Sequence, residues 1–241
     1  GFKNNGNWYK GNLHSHTTVS DGKMTPEQSV EVYKEHGYNF LALSEHDIYT
    51  DYRKQYNTDN FIMIPAIEAS AILYQEEGSS KRLEIHHLHG ILGTSEMQKN
   101  AKAPLFTHME HVPPQKHYGT WRGREISQEI ADMLRDRGCV VTYNHPIWSR
   151  VTEEEFIYTE GVQALEIFNY NTVLESNTGY DVTYWDRMLR MGKKINGFAS
   201  DDNHNEGLFE DSCGGWICVQ APELTHDAII QNFLDGNYYS S

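Results

Sequence analysis

Two short motifs place metal-ligand side chains on alternate residues. His14 and His16 stand two positions apart, and so do Asp202 and His204. On an extended strand, residues i and i+2 point to the same face, so each pair could chelate one cation. A single motif of this kind is a weak signal, and its interpretation depends on ligand types elsewhere in the chain.

Further ligand types follow short apolar segments. His46 comes just after FLALS, Glu68 lies within FIMIPAIEAS, and His145 follows CVVTYN. Each residue alone could be an ordinary turn or strand-end residue. Together with the two motifs, five separate segments carry a ligand type at the end of a short strand, which favours a metal site. The 13 histidines, about twice the ordinary number for this length, agree with that interpretation.

The segment LEIHHLHGIL holds three histidines, His86, His87 and His89. On an alternating strand His87 and His89 share one face, and His86 points to the other. Spacing alone leaves His87 and His89 as alternatives for one ligand position. Structural or exposed roles are expected for the histidines that lack a strand-end position, which are His36, His108, His111, His117 and His226.

Helices and strands alternate along the chain. Capping and apolar patterns predict helices over 25–37, 125–137 and 183–191, each ended by glycine and followed by a short apolar strand. This alternation is typical of parallel βα units. Ligand types at the carboxyl ends of several strands favour a barrel-like α/β fold over a doubly wound sheet.

Residues 93–122 differ from the rest of the chain. They are polar, contain Pro104, Pro113 and Pro114, and show no lasting periodicity. We predict a long loop excursion or lid beside the site. No shift in composition marks a domain boundary, so we expect one domain over residues 1–241.

Charge and composition exclude some functions. The net charge is −14, with 34 acidic and 20 basic residues, so we expect no binding of long nucleic-acid duplexes. The sequence contains no apolar run of about 18 residues, so we expect no transmembrane helix. The chain has no signal peptide, which favours a cytoplasmic location, although it starts at Gly1 and a leader could have been trimmed. Cys139, Cys213 and Cys218 show no ligand spacing and are expected to be small buried residues.

Six motifs occur in one order between about residues 14 and 204: NLHSHTTVSDGKMTPEQ, LALSEHD, IPAIEAS, a His-x-x-Gly strand, NHP and SDDNH. This ordered set resembles the successive motifs of the polymerase and histidinol phosphatase (PHP) family. The set is specific even though no single motif is. The resemblance implies a distorted seven-stranded β/α (TIM-like) barrel, a di- or trinuclear metal centre and, as in many members, phosphoester hydrolysis.

The resemblance also implies which residues hold the metals. The ligands would be His14, His16, Glu68 and Asp202 for a first metal; Glu68, His87 and His145 for a second; and Asp21, His46 and His204 for a third. Glu68 would then bridge two metals, and the His-x-x-Gly pattern selects His87, with His89 in reserve. Many members have histidine one position after Asp21, so the filling of the third site stays open.

The ligand set suggests the chemistry. Mixed imidazole and carboxylate ligands suit Zn, Mn or Fe(II), and two such cations about 3.5–4 Å apart can generate a metal-bound hydroxide and hold phosphoryl oxygens. Asn169 and Tyr170, at the end of the strand ALEIFNY, could line the pocket.

A phosphate also needs a cation from the protein. Arg150 is the arginine nearest in sequence to a predicted ligand, and Arg122 and Arg124 flank the excursion. We predict Arg150 as the phosphate-binding residue. His46 or His204 could protonate the leaving group.

These observations favour a phosphoesterase, either a phosphatase or a phosphodiesterase, that acts on a small phosphorylated substrate. The first alternative is an amidohydrolase-type enzyme that cleaves a C–N bond with the same centre. The second is a regulatory module that binds metals without turnover. The sequence does not indicate the oligomeric state.

Overall fold

The computed structural model describes residues 6–207 and 210–241. Its strands are β1 (Asn7–Asn12), β2 (Phe40–Leu41), β3 (Ile48–Tyr49), β4 (Ile62–Met63), β5 (Ala66–Tyr74), β6 (Arg82–Leu92), β7 (Glu110–His111), β8 (Gln115–Tyr118), β9 (Cys139–Tyr143), β10 (Val162–Asn169), β11 (Asn196–Ser200), β12 (Ile217–Ala221) and β13 (Tyr238–Ser240). Its helices are α1 (Pro26–Glu35), α2 (Arg53–Tyr56), α3 (Ser95–Lys99), α4 (Gly123–Asp136), α5 (Pro146–Ser149), α6 (Tyr170–Ser176), α7 (Val182–Arg190) and α8 (His226–Leu234).

The strands form two large sheets. One has the order β13-β12-β1-β2-β4 and the other the order β11-β10-β9-β6-β5-β8, while β3 pairs with β7. The strands β1, β2 and β4 run parallel to one another, as do β9, β10 and β11. This arrangement confirms the predicted mixed α/β fold with parallel sheets.

The expectation of parallel βα units does not hold for every strand, because β6 is antiparallel to both β5 and β9, and β12 is antiparallel to both β1 and β13. The segment 75–81 between β5 and β6 is too short for the crossover that a parallel neighbour needs, so the two strands form a hairpin.

The predicted closed, seven-stranded barrel is not confirmed. In the described ranges the ladder hydrogen bonds divide into separate sheets. Two isolated parallel bridges nevertheless join the two large sheets, one between Ser15 and Asn203 and one between His46 and Glu68. Both bridges involve or adjoin predicted ligands, so the sheets meet where the site lies.

The three predicted helices form close to their predicted bounds. Thr25 caps α1 through a capping box with Gln28, as the sequence pattern indicated. In α4, the buried residues Ile126, Ile130 and Leu134 pack in one core cluster with residues of β5, β6 and β9. A second cluster packs α8 against the sheet that contains β1 and β12.

The excursion at 93–122 contains α3, β7 and β8 rather than continuous loop. β8 extends the six-stranded sheet by pairing with β5, and Arg137 holds the segment through Glu110 at 2.7 Å. The extent of the single domain stays a prediction. No helix in residues 6–207 and 210–241 is both long and apolar enough to cross a bilayer.

Candidate metal centre

Ligand atoms from separate strand ends converge in the structure. Three sets of potential ligands have atoms within 4.8 Å of one another: His14, His16, Glu68 and Asp202; His16, Asp21, His46 and His204; and His46, Glu68 and His87. The first set is the predicted first metal site. The second set is the predicted third site with His16 added. The third set is the predicted second site with His46 in place of His145.

The carboxylate of Glu68 lies at the centre of the cluster and is fully buried. Five histidine ring nitrogens surround it: Nε2 of His14 at 3.2 Å, Nδ1 of His87 at 3.3 Å and Nε2 of His145 at 3.3 Å from Oε1, with Nε2 of His16 at 3.2 Å and Nδ1 of His46 at 3.3 Å from Oε2. Oε1 thus faces three imidazole rings and Oε2 faces two others. A carboxylate that bridges two cations requires such an arrangement, with other ligands beside each of its oxygens.

Asp202 approaches the same centre from the end of β11. Its Oδ1 lies 3.0 Å from Nε2 of His14 and 2.9 Å from Nε2 of His16. His145 lies further from this carboxylate, at 3.8 Å from Oδ2, and 3.3 Å from Nδ1 of His87. His145 therefore adjoins the cluster through Glu68 and His87.

Asp21 lies at the outer side of the cluster. Its Oδ2 is 3.3 Å from Nε2 of His46, and its Oδ1 is 3.3 Å from Nε2 of His204. Its side chain is 51% exposed, whereas those of His14, His16 and Glu68 are fully buried. A cation held here would be the most accessible to solvent.

Several atoms of the cluster have no hydrogen-bond partner within residues 6–207 and 210–241. They are Nε2 of His14, both ring nitrogens of His16, Oε2 of Glu68 and Oδ1 of Asp202. A buried polar atom without a partner is costly. Nε2 of His14 and Nε2 of His16 nevertheless both face Oδ1 of Asp202, whereas Nδ1 of His16 faces the outer group, 3.9 Å from Oδ1 of Asp21. A set of unpartnered imidazole nitrogens and carboxylate oxygens fits divalent cations, which would bind them all.

Burial and opposite charges shift the pKa values of the cluster in opposite directions. Burial alone lowers the pKa of His16, but the carboxylates of Asp202 and Glu68 outweigh it and raise that pKa to about 10. Burial alone raises the pKa of Glu68, but His14 and His87 hold it well below the ordinary value. Bound cations would replace the protons on these histidines.

A further glutamate, Glu166 on β10, positions the first histidine. Its Oε2 accepts hydrogen bonds from Nδ1–H of His14 at 2.7 Å and from the hydroxyl of Ser200 at 2.6 Å. Asn169 donates to Oε1 of Glu166 at 2.8 Å and to Oδ2 of Asp202 at 2.9 Å. These bonds fix the His14 tautomer, so that Nε2 faces the centre. The sequence analysis missed Glu166, although a glutamate within the apolar strand ALEIFNY was a signal.

Asp201 has a different role from its neighbour Asp202. Its carboxylate accepts the hydroxyl of Tyr33 at 2.5 Å and the backbone N–H groups of Cys213, Gly214 and Gly215 at 2.7–2.8 Å. Burial raises the pKa of Asp201 to about 6. Asp201 therefore ties the segment after β11 to the 213–215 loop and holds Asp202 in place.

Two predicted ligands occupy unusual backbone conformations. His145 has φ 28° and Asp202 has φ 52°, in the left-handed region that few non-glycine residues adopt. Asn144 beside His145 donates to Oε1 of Glu68 at 3.0 Å. Such strain is typical of functional sites, and here it occurs at the residues that turn ligands inward from strand ends.

The three histidines of β6 are separated as the alternation predicted. His87 faces Glu68 and belongs to a ligand set, and His86 points to the opposite face. His89 is buried 4.3 Å from the ring of His14, and neither of its nitrogens has a hydrogen-bond partner. His89 belongs to none of the ligand sets found among the described residues.

A cavity of about 350 Å³ opens above the cluster. The described residues that line it are Asp21, His46, Asp47, Ser70, Ile72, Arg82, His87, His145, Trp148, Asn171, Glu175, Asp202, His204 and Glu206. The volume is at the small end of the range for ligand pockets, so it suits a small substrate. No residue of the 93–122 segment is among them.

The structure places Arg150 outside this cavity, contrary to its predicted phosphate-binding role. Arg150 ends α5 in the left-handed conformation, and its guanidinium donates to the carbonyls of Leu83 at 2.8 Å and Arg82 at 2.6 Å. Arg122 pairs with Glu125 at 3.0 Å. The lining arginine is Arg82, which the sequence analysis did not select.

Arg124 and Tyr170, two further residues that the sequence suggested, also lie outside the described lining of the cavity. Arg124 lies over the ring of Tyr158, 4.4 Å from its centroid. Tyr170 stacks on Phe168 and does not belong to the described cavity lining, whereas the next residue, Asn171, does.

Comparison with solved structures shows which proteins share this architecture. A two-domain protein from Bacteroides vulgatus, described as containing a predicted PHP-like metal-dependent phosphoesterase, matches with TM-score 0.60 and 16% identity; the match covers 100% of this chain and 66% of that one. The fold is that of PHP-like structures. A candidate metal-dependent phosphoesterase from Bifidobacterium adolescentis matches with TM-score 0.53 and 14% identity, over 98% of both chains.

A third match is an amidohydrolase from Chromobacterium violaceum, solved with bound sulfate and no metal. It has TM-score 0.53 and 13% identity, and the match covers 95% of this chain and 97% of that one. No protein-family model and no curated protein matches the chain. The resemblance seen in the motifs is thus matched by a shared fold at very low sequence identity.

Proposed function

We propose that this chain is a metal-dependent phosphoesterase, a phosphatase or phosphodiesterase that hydrolyses a small phosphorylated substrate. One observation carries the proposal: unpartnered imidazole and carboxylate atoms converge on Glu68 beneath a small cavity. The likeness to PHP-like phosphoesterase structures supports it at the level of the fold.

The proposed ligands are those that the family resemblance implied. They are His14, His16, Glu68 and Asp202 for one cation; Glu68, His87 and His145 for a second; and Asp21, His46 and His204 for a third. The five nitrogens around Glu68 support its bridging role. The nitrogen and oxygen ligands suit Zn, Mn or Fe(II).

Bound cations would supply Lewis acidity to the phosphoryl oxygens and lower the pKa of a bound water toward neutrality. The protein's own residues would hold the geometry. Glu166 fixes the His14 tautomer, and Asn169 and Asn144 orient the carboxylates of Asp202 and Glu68. Because these supports are buried, they restrict ligand motion during the reaction.

His46 or His204 is proposed to protonate the leaving group when it is not bound to the third cation. Both line the cavity, and their side chains are 26% and 14% exposed. A leaving group in the cavity could therefore meet either ring. Arg150 has no part in the proposed mechanism.

Hydrolysis of a C–N bond is the second candidate function. The Chromobacterium violaceum structure is described as an amidohydrolase and shares this fold. A metal centre of this kind can attack amides as well as phosphoesters. A regulatory module without turnover fits less well, and the closeness of eight of the proposed ligands in three potential ligand sets, with His145 3.3 Å from Glu68, supports this preference.

Metal analysis followed by a substrate panel tests the proposal. We expect at least two transition-metal equivalents per chain, hydrolysis of phosphomonoesters or phosphodiesters, loss of activity with a chelator, and recovery with Mn or Zn. Turnover of amides without any of the phosphoesters would move the assignment to C–N hydrolysis. Less than one metal equivalent in protein never exposed to chelator would contradict the metal centre itself.

A further inference from the structure

Arg82 is the only lysine or arginine among the described residues that line the cavity. Its side chain is exposed, and in the described ranges its guanidinium has no ion pair or hydrogen bond. Its one recorded contact is with Trp148, whose ring centroid lies 5.9 Å from the guanidinium carbon. A guanidinium that faces a cavity without a partner is available for an anionic ligand.

The position of Arg82 separates it from the metal centre. Arg82 begins β6, and His87 follows five residues later on the same strand. Their partners on β5 are Tyr74 and Ser70, so their Cα atoms lie about 14–17 Å apart at the ordinary strand rise. The Arg82 side chain covers part of this span and Trp148 covers the rest, because the Trp148 ring centroid lies 5.9 Å from the guanidinium carbon and 5.9 Å from the ring centroid of His87. Arg82 is therefore at the outer end of the cavity, whereas a phosphate on the metals would be at its inner end.

Trp148 forms the wall between these two ends. Its ring centroid lies 4.9 Å from that of His145 and 5.9 Å from that of His87, on the side of the metal centre. The indole Nε1 donates to Oε2 of Glu175 at 3.0 Å, which fixes the ring. A substrate bound at the metal centre and extending along Trp148 would reach Arg82.

The start of β6 is held in place from outside the cavity. The guanidinium of Arg150 donates to the backbone carbonyls of Arg82 and Leu83. This contact fixes the backbone from which the Arg82 side chain extends. The misassigned Arg150 thus supports the residue that faces the cavity.

The charges of the cavity wall restrict where an anion can bind. Asp47, Glu175 and Glu206 also line the cavity and would repel an anionic group away from the metals. Apart from the proposed cations, Arg82 is the one arginine or lysine of the described cavity lining that attracts it. An anion on the outer part of a substrate thus has one favourable position.

We propose that Arg82 is a specificity-determining residue that binds a second anionic group, a carboxylate or a further phosphate, remote from the scissile phosphate. This inference rests on the proposed phosphoesterase function, because it takes the metal centre as the site of the reacting group. It narrows the substrate class to phosphoesters whose leaving group carries a negative charge.

Para-substituted phenyl phosphates provide a direct test. The set consists of phenyl phosphate, its 4-carboxy derivative, its neutral 4-carbamoyl isostere and 1,4-phenylene bisphosphate. We expect the metal-loaded protein to prefer the two substrates with a second anion by roughly tenfold in kcat/KM, as one charge-assisted contact would give. The better of these two substrates shows whether carboxylate or phosphate is bound.

The variant Arg82→Ala should lose this preference and keep its kcat/KM for phenyl phosphate within about twofold. Arg82→Lys should restore part of the preference, since it keeps the charge without the planar fork. Arg122→Ala is the matched control, because Arg122 is exposed and pairs with Glu125 outside the described cavity. It should behave as the unmodified protein.

An equal loss for all four substrates in Arg82→Ala would overturn the inference, because Arg82 would then bind the reacting phosphate. Equal rates for charged and neutral derivatives in the unmodified protein would also overturn it. If no phosphoester is hydrolysed, the proposed function fails. Calorimetric binding of phenylphosphonate and 4-carboxyphenylphosphonate to the Zn-loaded protein then tests the inference alone, and equal affinities would reject it.

Discussion

His86 and His87 are adjacent on β6, are both buried, and have opposite surroundings. Nε2–H of His86 donates to the carbonyl of Gly123 at 2.7 Å, and its Nδ1 accepts the hydroxyl of Tyr143 at 2.5 Å. Its ring also stacks on Trp121. Every polar atom of His86 thus has a protein partner.

His87 faces the other side of the strand, toward Glu68 and His145. Its Nδ1 lies 3.3 Å from Glu68 and 3.3 Å from Nε2 of His145, two contacts that one neutral ring nitrogen cannot satisfy together. Burial lowers the pKa of both His86 and His87 to about 4. Burial and pKa are therefore alike for His86 and His87. The two residues differ in their partners, because each nitrogen of His86 has its own hydrogen-bond partner, whereas Nδ1 of His87 lies equally close to Glu68 and His145.

The largest expected effect on activity is that of Glu68→Ala, at the carboxylate of β5 that His87 faces. Because five ring nitrogens surround this carboxylate, its loss should disturb two metal sites together. Activity against phosphoesters should fall by roughly 10³-fold or more, since several kcal/mol of charge stabilisation would be lost. Metal content and steady-state kinetics measure the effect.

Glu84→Ala provides the control for that substitution. Glu84 is on β6, outside the described cavity lining, and burial together with Glu155 raises its pKa to about 7. Its removal should leave metal content and activity close to normal. A folded Glu68→Ala protein that keeps two metals and a near-normal rate would show that the bridging assignment is wrong.

Substitution of the two histidines should affect different properties, activity for His87 and the free energy of unfolding for His86. His87→Ala should lower activity by about 10²-fold through weaker metal binding and leave the free energy of unfolding nearly unchanged. His86→Ala should lower the free energy of unfolding by about 2–4 kcal/mol, because it removes a packed ring and leaves Tyr143 and Gly123 unpaired. Denaturant titration of the metal-free proteins, and kinetics of the loaded ones, would separate the two outcomes. A large activity loss in stable His86→Ala would break the comparison.

Asp21→Ala should have a smaller effect than either Glu68→Ala or His87→Ala. Asp21 is half exposed, lies 3.3 Å from the outer histidines His46 and His204, and is further, at 3.9 Å, from His16. We expect the variant to lose at most one metal and to keep measurable turnover, with weaker dependence on added metal. Metal analysis together with a titration of activity against Mn or Zn checks this. Loss of all bound metal would mean that the outer site holds the centre together.

The sequence predicted which side chains would cluster better than it predicted the residues that hold them in place. His14, Glu68 and Asp202 stand in the ordered motifs, because potential ligand types at strand ends are visible as residue types and spacings. Glu166 was missed, since its role depends on β10 lying next to β11, a tertiary contact without a local pattern. The role of Asp201 depends likewise on a loop that follows twelve residues later.

The errors have physical causes too. Arg150 was chosen for its closeness in sequence to Asn144 and His145, but the left-handed turn at its own position directs it to the carbonyls of β6. The hairpin of β5 and β6 was missed because polar residues 75–81 were not interpreted as a turn. That hairpin brings Arg82 into the cavity wall, so one missed turn hid one lining residue.

The smallest expected effect is on the pH dependence of stability, and it has opposite signs for two histidines. The folded-state pKa of His16 is raised to about 10, so its contribution to stability is complete below about pH 6.5 and is lost as pH rises from there toward 10. The pKa of His86 is lowered to about 4, so the unfolded state binds its proton first and stability falls as pH drops from about 6.5 toward 4. Metal-free protein should therefore be most stable near pH 6–7.

Saturation with Zn should remove the alkaline decline in stability, because Zn replaces the proton on His16 and the residue no longer titrates in that range. The acid decline in stability, which comes from His86, should persist in His16→Ala. Urea titrations from pH 4.5 to 9.5 on the metal-free protein, the Zn-loaded protein and His16→Ala would show both limbs. An alkaline decline that is equally steep with and without Zn would mean that His16 lies outside the metal centre, and the partner-based distinction between the two kinds of buried histidine would then lose its principal case.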